Sequence, residues 1–275
     1  IQYPVGMSVQ YEPDPADPAR IGSVRLIYNG SNILAQNLTY KPFGPLSAMT
    51  LGNQIQILKT YDKHYQISAI SAGEILDRGY TPDNVGNIQS IADNLDPTRG
   101  QSFGYDDLYR LTSATGVYGT IGYTYDKVGN RLTSTQSAQS DTYAYYPGTN
   151  RLQAITGAHP EQFQYDANGN TATRTPGTVP PVTYQYYSGA NRLRTVENIQ
   201  PPPANGPASY IYNANGQRAN KVVTNPVIYH YDQAGQLIAE TTAAGTLIRA
   251  YVWLHGQPLA QVAANGTIYY YYNDH

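Results

Sequence analysis

Six aspartates recur along the chain at nearly constant spacing, and carboxylates placed in this way could bind cations or act as general acids. They are Asp62, Asp83, Asp106, Asp126, Asp166 and Asp232. Elsewhere the same register holds aromatic or amide residues, namely Tyr146, Tyr187, Trp253, Asn213 and Asn273. A required metal ligand or acid would not be exchanged so freely within one chain. Capping of a turn, which Asp and Asn both perform, is therefore the favoured interpretation.

Aromatic residues form two columns, one place and three places before this register. Nine of the eleven copies have Tyr in the nearer place, and nine have Tyr or Phe in the farther place. The exceptions are Pro82 and Val252 in the nearer place, and Lys59 and Ala250 in the farther place. Exposed rings could stack on sugars, whereas rings packed across strands would stabilise a sheet. Because a feature repeated eleven times serves an architecture more naturally than one site, cross-strand packing is favoured.

Arginines follow the register by five places at Arg131, Arg151, Arg192 and Arg218. A row of guanidinium groups could bind phosphates, but the spacing favours pairing with acids or stacking on Tyr rings of adjacent hairpins. The complete set of residues predicted to form the structural signature of the repeat is Tyr61, Asp62, Tyr105, Asp106, Tyr125, Asp126, Gly129, Tyr145, Tyr165, Asp166, Gly169, Tyr186, Tyr212, Gly216, Tyr231, Asp232, Gly235 and Trp253.

Other patterns that could support catalysis or metal binding are weak. The segment from Asp166 to Asn170 faintly resembles a calcium loop, but Gly is fourth instead of sixth, and Gly177 replaces the Glu at position twelve. The histidines are far apart and match no metal-ligand spacing; they are His64, His159, His230, His255 and His275. Cysteine is absent, and no G-x-S-x-G motif occurs. The sequence therefore predicts no catalytic residue, no metal and no cofactor.

The element that positions these residues is a β-hairpin. The register positions lie 19 to 26 residues apart, from position 62 to position 273. Each copy has an aromatic strand, then a turn of Asp or Asn with Gly, and then a second strand, as at Leu132 or Leu152. The one long interval contains the proline-rich stretch 201–207, predicted to be an inserted surface loop. We expect an all-β fold of tandem hairpins of roughly 20 residues that form a long, coiled antiparallel sheet.

Composition agrees with this fold and excludes several functions. The 275 residues include 28 Tyr, 25 Gly and 19 Pro, which favours many strands joined by turns. A net charge of −2, with 17 basic residues against 19 acidic ones, excludes nucleic-acid binding driven by bulk charge. No apolar run reaches the roughly 18 residues of a membrane-spanning helix. Because the sequence begins at Ile1 and shows no signal peptide, we expect a fragment or a processed piece.

Three segments are predicted along the chain. Residues 1–50 form an N-terminal β segment without a clear copy of the repeat. Residues 51–249 form the hairpin array, and residues 250–275 form a terminal motif in the same continuous sheet.

The stretch from Tyr123 to Leu132, with its Tyr-x-Tyr-Asp-x-x-Gly-Asn-Arg-Leu core, resembles the signature of the Rhs/YD-repeat family of bacterial Rhs proteins, Tc-toxin C components and teneurins. The segment from Thr39 to Asn53 resembles the family's stretch before a run of repeats, although Gln54 stands where Gly is expected. Residues 250–261 resemble the end of the Rhs core, and residues 269–275 resemble the element that follows it in the family. The resemblance implies a hollow β shell that holds a toxic domain.

The leading hypothesis is a shell segment, secreted or on the bacterial cell surface, with no catalysis of its own. The expected partners are a cargo or toxin domain beyond the C-terminus, and a secretion-apparatus spike or glycans, but not nucleic acid. The alternative is an extracellular adhesin or fibre that binds glycans or neighbouring cells through Tyr-rich surfaces. A glycosidase on a β scaffold is the third hypothesis, but no carboxylate pair stands out from the turn acids.

Overall fold

The computed structural model describes residues 1–42, 44–198 and 207–274. Two short 3-10 helices occur in this part of the chain, Pro4–Gly6 and Pro97–Arg99, and the rest of the regular structure is 25 strands. Consecutive strands pair antiparallel in every pair whose register is known. The prediction of an all-β fold built from tandem antiparallel hairpins is therefore confirmed.

Contacts divide the chain into two compact units. The core unit comprises residues 1–101 and 228–275, and the ladder unit comprises residues 102–227. The predicted division at residues 50 and 249 follows the sequence and remains a prediction, whereas the division by contacts places both ends of the chain in one unit.

The core unit contains strands from both ends of the chain. They are β1 (Ser8–Pro13), β2 (Ile21–Ile27), β3 (Ser31–Tyr40), β4 (Leu46–Leu51), β5 (Gln56–Tyr61), β6 (Ile67–Ala72), β7 (Leu76–Pro82), β8 (Ile88–Asp93), β21 (Val227–Tyr231), β22 (Leu237–Thr242), β23 (Leu247–Leu254), β24 (Gln257–Ala263) and β25 (Ile268–Tyr270). Strand β21 begins one residue before this unit.

The ladder unit contains the remaining strands, of which β9 begins one residue before it. They are β9 (Gln101–Tyr105), β10 (Leu111–Gly116), β11 (Gly119–Tyr125), β12 (Arg131–Gln136), β13 (Gln139–Tyr145), β14 (Leu152–Gly157), β15 (Glu161–Tyr165), β16 (Thr171–Pro176), β17 (Val182–Tyr186), β18 (Leu193–Glu197), β19 (Ala208–Tyr212) and β20 (Arg218–Val222).

The core unit has a hydrophobic centre. Alternate residues of its strands face inward, so that Val24 and Leu26 of β2 pack in one cluster with Leu34 of β3 and with residues of β23 and β24. Hydroxyl groups join the two ends of the chain as well, since Tyr3 donates to the carbonyl of Tyr251 at 2.9 Å. Hydrophobic burial therefore fastens the C-terminal hairpins to the N-terminal ones.

Two exceptions to the aromatic columns have their explanation in this core. Ala250 and Val252 occupy the places that are usually aromatic, and both are fully buried. Their small side chains allow β23 to pack closely in the hydrophobic cluster, where larger rings would need more room.

The ladder unit has almost no buried centre. In its described residues, 102–198 and 207–227, the buried side chains are those of Ala114, Asp141, Val182, Val196 and Ala208. Its hairpins must therefore be held by contacts along the sheet.

The surface loop predicted at residues 201–207 lies outside the described residues except for residue 207. On either side of it, β18 and β19 pair directly, with Val196 opposite Ala208. Phe43 and His275, which belong to the family-like segments, also lie outside the described residues.

Candidate functional site

The aspartates of the register lie at the turns and bond to the backbone of their own turn. The carboxylate of Asp126 accepts hydrogen bonds from the backbone N–H groups of Val128 at 3.0 Å and Asn130 at 2.8 Å, and from the Asn130 side chain at 2.8 Å. Equivalent bonds to the residue four places on are made by Asp62, Asp83, Asp106, Asp166 and Asp232. Side-chain capping of this kind satisfies backbone donors that a tight turn leaves unpaired.

The turn glycines provide a backbone conformation that other residues rarely adopt. Gly129, Gly169, Gly216 and Gly235 have φ values of +92°, +87°, +81° and +86°. At Gly169 there is a second reason, because an added Cβ would lie 2.9 Å from the guanidinium group of Arg151 in the preceding hairpin. Gln54, which stands where the family has Gly, also has a positive φ of 68°.

Hydrogen bonding lowers the pKa of the turn carboxylates. The side chain of Asn87 and then its backbone N–H stabilise ionised Asp83, and Asn170 does the same for Asp166. For Asp106 the backbone N–H of Arg110 is the largest cause, and the Arg110 side chain adds to it. These carboxylates are poor general acids at neutral pH, and their lone pairs are engaged in the turns.

A β-bulge occurs at the signature tyrosine of the repeat. The pairing register shifts between Thr124 and Tyr125, and again at Tyr61, Tyr145, Tyr165, Tyr186 and Tyr212. A bulge bends its strand and changes the direction of the side chain. In each of these six copies, the tyrosine hydroxyl bonds to the strand before its own.

The acceptor is the carbonyl of the residue that begins that preceding strand. Tyr125 donates to Leu111 at 2.7 Å, and Tyr165 donates to Leu152 at 2.8 Å. Tyr61, Tyr145, Tyr186 and Tyr212 make the same bond to Leu46, Arg131, Thr171 and Leu193. In the copy at Trp253, the indole N–H replaces the hydroxyl and donates to the carbonyl of Leu237 at 2.8 Å.

These bonds reinforce the places where the backbone ladder is short. Strands β14 and β15 have only two paired positions, Ala154 with Gln162 and Ile155 with Glu161. The bond from Tyr165 to Leu152 lies beyond these pairs and satisfies a carbonyl at the open end of the ladder. The signature tyrosines thus act as lateral ties between consecutive hairpins.

The recurring arginines stack on tyrosine rings. The guanidinium carbon of Arg131 lies 4.4 Å from the ring centre of Tyr143 in the next hairpin. Arg151 lies over Tyr165 at 5.9 Å, and Arg192 over Tyr212 at 5.8 Å. Such cation–π contacts join neighbouring hairpins and occupy ring faces on which a sugar could otherwise stack.

Where Tyr replaces Asp in the register, the side chain leaves the turn and reaches the following hairpin. The hydroxyl of Tyr146 donates to the carbonyl of Phe163 at 2.9 Å, and its ring meets that of Tyr165 edge to face. Tyr187 donates to Tyr210 at 3.0 Å and packs against Tyr212 in the same way. Where Tyr replaces Asp in the register, the turn therefore loses its carboxylate cap and the sheet gains another bond between neighbouring hairpins.

Two signature tyrosines end their strands in the equivalent place, Tyr105 in β9 and Tyr231 in β21.

One copy of this arrangement lies in residues 1–50, where no clear copy of the repeat is predicted from the sequence. Tyr40 ends β3 and donates its hydroxyl to the carbonyl of Ile21, the first residue of β2, at 2.9 Å. The backbone N–H of Lys41 then bonds to the carbonyl of Pro45, as in the turns of the repeat. The signal was the spacing, because Tyr40 precedes Tyr61 by 21 residues. This copy is hard to recognise from the sequence because Lys41 occupies the register position that elsewhere holds Asp, Asn or an aromatic residue.

The described histidines lie apart and have separate partners. His159 Nδ1 lies 2.9 Å from the Asp141 carboxylate, and His230 Nε2 lies 2.9 Å from the hydroxyl of Thr241. His255 Nε2 lies 2.9 Å from the Tyr40 hydroxyl, and burial lowers the pKa of His255. Within residues 1–42, 44–198 and 207–274, no group of three or more His, Asp or Glu residues could hold a metal ion. None of the helices in this part of the chain is long and apolar enough to cross a membrane.

Two curated relatives align with part of the chain. A tRNA3(Ser)-specific nuclease WapA of Bacillus spizizenii is 28% identical over 179 residues, and the tRNA nuclease WapA of Bacillus subtilis is 27% identical over 179 residues. Each alignment covers 62% of this chain and 7% of the relative. The chain thus spans a small part of these proteins. No family model matches the sequence.

Solved structures match the fold over nearly the whole chain. A crystal structure of TcdB2-TccC3 has a TM-score of 0.55 at 17% identity, and the match covers 96% of this chain and 17% of that one. The Tc holotoxin pore of Photorhabdus luminescens has a TM-score of 0.53 at 17% identity, covering 95% of this chain and 17% of the other. At this identity, the likeness shows the fold.

The fold and the repeated ties between hairpins define a structural repeat protein. Together with the two sets of relatives, they support the resemblance read from the sequence, that of a fragment of Rhs/YD-repeat type.

Proposed function

We propose that this chain is a segment of an Rhs/YD-repeat shell that encloses a polypeptide cargo, a toxin domain, and helps to deliver it. The segment performs no catalysis in this proposal. The observation that carries it is the use of the repeated residues, because tyrosine hydroxyls, arginines and turn carboxylates all join or stabilise hairpins. Because the repeated side chains form their contacts within the sheet, they fit a structural role in the wall of a shell.

The sparse burial of the ladder unit supports the same proposal. A sheet normally packs one face against another layer, yet side chains in the described part of this unit are mostly half-buried or exposed. An enclosed polypeptide would cover such a face. The proteins similar to this chain also favour the proposal, since the two WapA relatives are nucleases and the matched structures include a Tc holotoxin.

The protein acts outside the bacterial cytoplasm, secreted or at the cell surface, with its cargo on the same polypeptide and a secretion-apparatus spike as a further partner. The adhesin alternative has weaker support, because arginines cover the faces of Tyr143, Tyr165 and Tyr212.

The test begins with the intact mass and the C-terminal sequence of the native polypeptide. We expect sequence beyond residue 275 that is unlike the repeat and that resists protease until the hairpin array is unfolded. A native polypeptide that continues only into more hairpins, or an added domain that is cleaved as fast in the native protein as in the unfolded one, would contradict encapsulation. A glycan array on the same native protein tests the adhesin alternative, which predicts reproducible hits.

A further inference from the structure

The core unit contains a cavity of about 370 Å³. One wall comes from β4 to β7, with Met49, Ile57 and Ile70 among its apolar residues. The opposite wall comes from the chain between Leu254 and Leu259 and from the segment after β25. Cavities of this size, about 300 to 1,000 Å³, hold small organic ligands in many proteins.

Among the described residues that line this cavity, Lys59 is the one lysine or arginine, and none is Asp or Glu. It occupies the farther aromatic column, so the alternation of β5 places it on the same face as Ile57 and Tyr61. The repeat pattern therefore has a cation where a ring is usual. Such a replacement on an inward face needs a reason, since burying an ammonium group is costly.

The ammonium group of Lys59 has only a weak neutral partner in the described residues. Its Nζ donates to Gln257 Oε1 at 3.3 Å, and no ion pair of Lys59 occurs in the part of the chain that the structure describes. An ammonium group has three donors. Loss of hydration lowers the pKa of Lys59, in keeping with its half-buried position. An anion that entered the cavity would compensate the ammonium group for its lost hydration.

Several other polar groups of the cavity are already engaged within the protein. Tyr61 donates to the carbonyl of Leu46, and Asn273 donates to that of Pro258 at 2.8 Å. Tyr272 accepts a hydrogen bond from Asn53 at 2.9 Å. Lys59 is thus the charged group best placed to bind a ligand, and Met49, Ile57 and Ile70 contribute apolar surface to the same cavity.

We propose that this cavity binds a small amphiphilic carboxylate, with its charged end at Lys59 and its apolar chain against Met49, Ile57 and Ile70. The ammonium group and the carboxylate form a charge-assisted hydrogen bond in a site of reduced hydration. The apolar walls remove the chain of the ligand from water. This inference does not depend on the proposed function.

The experiment uses the full native chain and three probes of equal chain length, namely octanoate, 1-octanol and octylamine, in titration calorimetry at neutral pH. We expect saturable binding of octanoate, weaker binding of 1-octanol and the weakest binding of octylamine. Lys59→Met keeps a long unbranched side chain but removes the charge. It should weaken octanoate binding by about tenfold or more, as expected for a charged hydrogen bond, while leaving 1-octanol binding unchanged.

The matched control is Lys127→Met, which removes an exposed lysine from a turn of the ladder unit and should leave octanoate binding unchanged. Lys59→Gln provides a second neutral variant if Lys59→Met fails to fold. Equal affinity of octanoate for a folded Lys59 variant and the wild type would overturn the proposal. So would octylamine binding as tight as octanoate binding, or no saturable octanoate binding. The stem of Lys59 would then simply cover apolar surface.

Discussion

The two units are built from the same hairpin, yet they are stabilised in different ways. The core unit surrounds a cluster of fully buried residues, of which Leu34, Val252 and Ala260 are examples. The ladder unit has few buried side chains in its described residues and depends on hydroxyl ties, arginine stacking and capped turns. This repeat can therefore form a sheet without a core of its own, because its signature residues join each hairpin to the next along the sheet.

The largest effect is expected in the core unit. Leu34→Ala removes a fully buried side chain and should lower the free energy of unfolding by about 2–5 kcal/mol, through lost burial and the cavity that remains. Leu108→Ala makes the same change at a ladder-unit turn where the side chain is 66% exposed, and it should alter stability by less than about 0.5 kcal/mol.

Urea unfolding followed by tryptophan fluorescence measures this difference, because Trp253 is the single tryptophan and packs against the core cluster. Equal losses in the two variants would mean that burial does not distinguish the units. A large loss in Leu108→Ala alone would reverse the comparison.

A smaller effect is expected where the ladder unit depends on a hydroxyl group. Tyr165→Phe leaves the ring in place but deprives the carbonyl of Leu152 of its donor. The local cost should be about 0.5–1.5 kcal/mol, the usual net value of one hydrogen bond. Hydrogen exchange of the amides in β14 and β15 should then become about two- to tenfold faster, because local opening sets this rate.

Tyr109→Phe is the matched control, since this tyrosine is 60% exposed. Exchange rates in β14 and β15 that are the same for Tyr165→Phe and wild type would show that the hydroxyl tie contributes nothing to the ladder. A tyrosine-to-phenylalanine change of equal effect at both positions would indicate a general effect of composition instead.

Much of the fold could be predicted because the repeat has a nearly constant length and recognisable turn residues. The spacing of Asp126 and its equivalents and the turn glycines such as Gly129 determine where each hairpin reverses. The destination of the tyrosine hydroxyls could not be predicted, because it depends on the bulge at Tyr125 and its equivalents, and a bulge leaves no mark in composition. The first copy, at Tyr40, was concealed by Lys41 in the register. The joining of β23 to the N-terminal strands involves residues more than 200 positions apart, as in the bond from Tyr3 to Tyr251, and no local pattern indicates it.

The smallest effect is expected at a single turn carboxylate, and it tests whether capping in the ladder unit needs a charge. Bonds from the Asn170 side chain and then from backbone N–H groups hold the pKa of Asp166 below its ordinary value of 3.8. The ionised form therefore stabilises the folded state above about pH 4, and this contribution is lost as the pH falls through the lowered pKa of the folded protein.

Asp166→Asn should keep the cap without the titration, because Asn213 already caps its own turn by accepting the N–H of Gln217 at 3.0 Å. Hydrogen exchange in this turn, compared between pH 6 and pH 3 after correction for the intrinsic rates, should show a greater loss of protection in wild type than in Asp166→Asn. The difference will be small because solvent still reaches and screens this half-buried carboxylate at the surface. Identical pH dependence in the two proteins would mean that the aspartates cap as neutral acceptors, and that Asp and Asn are interchangeable in the register for that reason.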